Sequence, residues 1–152
     1  MHVIAVLAFL QLLSTATMEE AIPSMMDSLI AGNGEAVVNM ISSEGLQMVD
    51  SVLTHNPQQI SDIALFFGVQ IEAFDPDNTN SRELLTSILS QPSVSGMVLL
   101  FGMTPVDPVA RNERVFVPVH WGLFGERRTI YFEIVLEEES WKVRDFFIEI
   151  PE

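Results

Sequence analysis

The stretch ERVFVPVHWGLFGERRTIYFEIVLEEESWKVRDFFIEI, residues 113–150, decides the fold. Apolar residues alternate in it three times over: Val115, Val117, Val119 and Trp121; then Ile130, Phe132, Ile134 and Leu136; then Trp141, Val143 and, after Asp145, Phe147. A period of two in β-branched and aromatic residues is the strand signature. Leu123-Phe124-Gly125-Glu126 and Glu137-Glu138-Glu139-Ser140 supply two short turns, of which only the first has a glycine free to take positive φ. With two-residue turns, Trp121 falls opposite Arg128, Val117 opposite Phe132, Leu136 opposite Trp141, Ile134 opposite Val143, and Phe132 opposite Asp145. All three alternating sets then share one face, on which Asp145 alone is not apolar. A slip of one residue would scatter them over both faces, so the register is strongly specified. The other face, with Phe116, Tyr131, Val135, Phe146, Ile148 and Ile150, is too apolar to stand freely in water, and a partner subunit or another segment is expected over it. Pro118 brings no backbone donor, so its strand is expected to be an edge or to bulge there.

Upstream, the chain reads as helices. Ile22, Met25, Met26, Leu29 and Ile30 recur at helical spacing, with Pro23 expected in the first turn and Gly32 and Gly34 ending the run. Val37 to Leu53 reads as one helix broken near Gly45, or as two short ones. Asn56-Pro57 is a start signal for a helix carrying Ile60, Ile63, Ala64 and Phe67. Asn80 with Glu83 resembles a capping box for a helix at 81–90, stopped by Pro92. Residues 94–103, VSGMVLLFGM, read as a buried strand, and 104–112 as its connection to the sheet. The fold class is therefore α+β: N-terminal helices packed on an antiparallel sheet.

Residues 3–13 form an apolar run, and Ser14 and Ala16 fit a signal-peptidase site. The expectation is a signal peptide over 1–16, an exported (periplasmic or secreted) protein, and a single domain over 17–152. The run lacks a preceding Lys or Arg, and a buried apolar helix is the other reading. It is short for a membrane span, so no integral membrane domain is expected. There is no cysteine, which excludes disulfides and thiolate ligands. A formal net charge of −14 argues against nucleic acid as a partner.

The chemistry-bearing residues are few. Asp75-Pro76-Asp77-Asn78-Thr79-Asn80 alternates oxygen ligands like the start of a calcium loop, but it lacks the glycine and the closing carboxylate, and a polar loop leading into a helix cap accounts for it. His55 and His120 stand without metal-ligand spacing, so no metal or other cofactor is expected. Asp145 is the one catalytic candidate: a carboxylate among Phe132, Val143 and Phe147 would be desolvated, which raises its pKa and suits acid/base work. The plainer reading bonds it to a helix terminus or backbone at the sheet's open end.

Helices followed by strands closing on YFEIVLEEESWKVRDFF resemble the nuclear transport factor 2-like (cystatin-like) superfamily, and Trp141-Lys142-Val143-x-Asp145 is similar to a segment of its terminal strand. The resemblance implies a strongly curved sheet forming a cone around an apolar pocket, and dimerisation through the sheet's outer face. It places Val117, Val119, Phe132, Ile134, Trp141, Val143, Asp145 and Phe147 at the pocket. The superfamily holds both enzymes and non-catalytic domains. The function expected is a non-catalytic binding or accessory domain for a small apolar ligand or a protein partner, working as a homodimer. The alternative is an isomerase- or dehydratase-type enzyme with Asp145 as general base.

Overall fold

A computed structural model describes residues 17–66, 68, 69 and 80–152. The expected leader over 1–16, Phe67 and most of the calcium-like loop lie outside the described residues. The fold is α+β, with helices preceding an open antiparallel sheet of five strands. The helices are α1 (Met18–Ile30), α2 (Gly34–Asn39), α3 (Ser43–His55), α4 (Pro57–Phe66), α5 (Ser81–Leu89) and α6 (Pro92–Leu100). The strands are β1 (Thr104–Pro105), β2 (Val109–Arg111), β3 (Arg114–Leu123), β4 (Glu126–Glu137) and β5 (Ser140–Phe147). Two compact units result, one of Met25–Leu100 and one of Phe101–Glu152 with the first part of α1, up to Ser24.

In the helical unit, α1 buries Met25, Met26 and Leu29, as its spacing predicts. The helix starts at Met18, however, and Pro23 lies inside it. Glu19 and Glu20 favour the earlier start, because acidic side chains in a first turn oppose the positive end of the helix dipole. The next helical run is two helices. The break falls at Ser42, whose fully buried hydroxyl accepts the Gly45 N–H at 3.1 Å and caps α3. Asn80 caps α5 by accepting the Glu83 N–H at 2.8 Å, in line with the capping signal. Ala64, Leu84 and Ile88 form a buried cluster with Leu53, Ile60 and Val69 against it. α2 packs on α5 so closely that a Cβ at Gly34 would meet Thr86 O and the backbone and hydroxyl of Ser90.

The segment 94–103 is a correction: Pro92–Leu100 is helical, with Pro92 opening it and Val94 and Val98 buried one turn apart. Periodicity alone cannot separate a short apolar strand from a helix of this length. The helix leaves Leu99 and Leu100 exposed. The connection 104–112 holds two strands that the sequence did not announce, β1 and β2, both paired to β3.

The order is β1-β3-β4-β5, with β2 also on β3. The β3–β4 register matches the expected one, with Val117 opposite Phe132 and Trp121 opposite Arg128. No bulge occurs at Pro118, and β3 is not an edge. Instead β3's other neighbour is split. Val119 and His120 pair with β1, Phe116 pairs with β2, and between them the Pro118 carbonyl accepts the Val106 N–H at 2.9 Å. The missing proline donor thus faces the gap between two short strands, where no ladder bond requires it.

All three hairpins close on two residues, and the central residues all have positive φ: Asn112 and Glu113, Phe124 and Gly125, Glu138 and Glu139. This is the type I′ geometry whose twist suits a hairpin. Only Gly125 adopts it without a Cβ penalty. Glu139→Gly is therefore expected to stabilise the protein by about 0.5–1 kcal/mol, the relieved strain outweighing the added chain entropy. Thermal melting at neutral pH would show a rise of a few degrees; a fall would mean that the Glu139 side chain makes a compensating contact.

Candidate functional site: a buried carboxylate and a hairpin-end cavity

The β4–β5 register begins as expected, with Leu136 opposite Trp141 and Ile134 opposite Val143. It then shifts by one residue, so that Asp145 lies opposite Glu133, Phe146 opposite Phe132 and Phe147 opposite Tyr131. The extra residue is Arg144, a bulge in an edge strand, where bulges are tolerated because there is no outer ladder to break. The expected pairing of Phe132 with Asp145 is thereby corrected. Beyond the bulge every side chain changes face. Phe146 joins Phe132, ring centroids 6.3 Å apart, while Phe147 meets Phe116 at 6.1 Å on the other side.

The face that receives Asp145 carries a buried charge cluster. Glu133 is 2% exposed. Its two oxygens accept parallel bonds from Arg114 Nε and Nη2, each 2.8 Å long. Such bidentate pairs are among the strongest hydrogen bonds in proteins. Arg144 Nη1 stands 3.6 Å from Glu133 Oε1. The Arg114 guanidinium also lies over the rings of Phe116, at 5.1 Å, and Phe147, at 5.5 Å. The Arg114 hydrogen bond lowers the Glu133 pKa, overcoming the burial that would raise it, and both arginines add attraction. Glu133 in turn raises the Arg114 pKa, with a further contribution from the charge of Asp145. Asp145 is half-buried and accepts the Phe146 N–H at 2.8 Å. It is backbone-bonded, as in the plainer reading, and no longer on the face of Phe132 and Val143.

A carboxylate with a depressed pKa makes the fold sensitive to acid in one direction. Above the unfolded-state value of about 4.5 the Glu133 contribution is fully present; as pH falls through the lower folded value it is lost. Urea midpoints are expected to hold steady from neutral pH to about 4.5 and to decline below, a decline that Glu133→Gln should blunt. An equal decline in that variant would assign the acid sensitivity to other groups.

Of the expected pocket residues, Val117, Val119, Ile134 and Trp141 are buried on the apolar face, and Phe132 and Val143 are half-buried there. Asp145 and Phe147 lie on the opposite face, past the bulge. A cavity of about 370 Å³ lies at the hairpin end of the apolar face, lined by Trp121, Leu123, Phe124, Glu126 and Arg128. None of the eight expected residues lines it. Trp121 packs edge-on against Phe101 at 5.6 Å, and the Arg128 guanidinium sits 5.7 Å from its ring, the cation–π contact that their pairing predicts. His120 Nδ1 and Thr129 Oγ1 are 2.8 Å apart across the strands. Among the described residues no three or more His, Cys, Asp or Glu side chains are grouped to hold a metal. No helix among them is long and apolar enough to cross a membrane.

The expected register sets Glu133 opposite Arg144, which stays 3.6 Å away although the bulge shifts the pairing; the stronger pairing of Arg114 with Glu133 was not singled out. Their signal was present: Glu133 interrupts the apolar run YFEIV, and the β3–β4 register sets Arg114 diagonally across from it, within reach of a long side chain. No family model, curated protein or solved structure matches this chain.

Proposed function

We propose that the chain is an exported, non-catalytic binding or accessory domain of the nuclear transport factor 2-like kind, with residues 17–152 forming one domain after loss of the leader. Its sheet is proposed to curve into the cone of that superfamily, to hold a small apolar ligand or a protein partner, and to associate with a second copy. The observation that supports the non-catalytic part of this reading is the engagement of two sheet carboxylates, Glu133 and Asp145. Glu133 is clamped by Arg114 and carries a lowered pKa, the wrong direction for proton transfer near neutrality, which needs a value close to the working pH. Asp145 lies on the Glu133 side and holds a backbone N–H, away from the Phe132 and Val143 side chains that the alternative of an isomerase or dehydratase with Asp145 as general base places around it. Association is supported by β5, an open edge that carries Phe146, 64% exposed, and leads into Ile148, 83% exposed.

Native mass spectrometry of the chain made in an export-competent host tests the reading. The expected result is a dimer of the 17–152 form carrying extra non-covalent mass. A monomer of uncleaved chain with no added mass would overturn it.

A further inference from the structure

We infer that the hairpin-end cavity is a site for a small amphipathic anion, a carboxylate or sulfonate on an aromatic-sized apolar body. The inference rests on the binding reading above and names the place and the ligand class. At about 370 Å³ the cavity is the size of small-molecule sites, as a cleft open to solvent along Phe124, Glu126 and Arg128. Trp121 and Leu123, both half-buried, give it an apolar wall.

Phe124 is the residue that folding explains least. It is 96% exposed and has a φ of +53°, at a turn position that ordinarily takes Asn, Asp or Gly. It therefore carries backbone strain and almost no apolar burial. A ligand body lying against it and Trp121 supplies the burial that the fold does not.

The polar end is Arg128. Its present partner, Glu126, is only two residues away, at 3.1 Å, and the two side chains are 64% and 71% exposed. A bridge so open to water is worth little, so a ligand anion can replace Glu126 at modest cost. The guanidinium's planar fork suits a carboxylate or sulfonate held by two bonds, while its stacking on Trp121 fixes the fork beside the apolar wall. Arg127, next in sequence, alternates to the other side of the sheet, so Arg128 is the cation among the lining residues. The overall charge of −14 does not cancel this at the site, because charges more than about 8 Å away are largely screened at physiological ionic strength.

The test uses the full chain and anilinonaphthalene sulfonate as the probe, with the neutral N-phenylnaphthylamine beside it. Expected are saturable enhancement of the anionic probe's fluorescence with a single class of site, and binding at least about tenfold weaker both for the neutral probe and in Arg128→Gln, since each removes a charge-assisted bond. Phe124→Ser is expected to weaken binding by a smaller factor. Arg128 and Phe124 are exposed, so both variants should keep the parent's circular dichroism and melting temperature. Equal affinity for the two probes, or an Arg128→Gln protein that binds as well as the parent, would overturn the anion site while leaving a binding domain with its ligand elsewhere. No saturable binding would also overturn it, and the co-purified mass seen by native mass spectrometry reports separately on the binding reading.

Discussion

Replacing Arg114 by Met is expected to cost about 3–5 kcal/mol. The reason lies less in what the ion pair contributes than in what its loss leaves behind. Glu133 is 2% exposed, and both of its oxygens are bonded to Arg114. Without the guanidinium, a buried carboxylate must stay charged without its main partner or take up a proton. Arg144, at 3.6 Å and 41% exposed, is too distant and too wet to replace it. Met also gives up the stacking on Phe116 and Phe147. The double variant Arg114→Met, Glu133→Leu should recover most of the loss, because a buried ion pair and an apolar pair of similar volume are often close in stability. Urea denaturation at neutral pH reads both. A single variant losing under about 1 kcal/mol would mean that water already solvates Glu133.

In the helical unit, Gly34→Ala is expected to destabilise by about 3 kcal/mol, against the usual sign. At an unconstrained helical position the same change gains up to about 1 kcal/mol. Here a Cβ would run into the Thr86 carbonyl and the Ser90 backbone of the facing helix, atoms that cannot rotate away. α2 and α5 must separate, and the bond from the Gly34 N–H to Ser90 Oγ, 3.2 Å long, would stretch. Ser90→Ala removes that hydroxyl without moving the helices and should cost only about 1 kcal/mol. If the two variants lose the same amount, the hydrogen bond and not the close approach is what Gly34 supports.

What the sequence made legible was local and periodic. The β3–β4 register followed from Val115 to Trp121 meeting Ile130 to Leu136, since a slip would have exposed a whole face. The Asn80 cap followed from a side chain acting three residues away. The misses share a different physics. Whether VSGMVLL coils or extends depends on what packs against Val94 and Val98, which no periodicity in nine residues records. The bulge at Arg144 breaks no sequence rule; it shows only once Arg144 and Asp145 are seen flanking Glu133, and it alone takes Asp145 and Phe147 off the expected face. The hairpin-end cavity was half legible. Pairing gave the Trp121–Arg128 stack, while the exposure of Phe124 beside it required the turn's backbone.

The non-catalytic part of the proposed reading leans on the state of one carboxyl group, Glu133. The most direct measurement is the titration of the Glu133 side-chain carboxyl carbon by NMR on the labelled protein. A midpoint below the ordinary 4.5, moving upward in Arg114→Met, is the predicted result. A midpoint above 4.5 in the parent protein would contradict it, because burial would then outweigh the Arg114 bond.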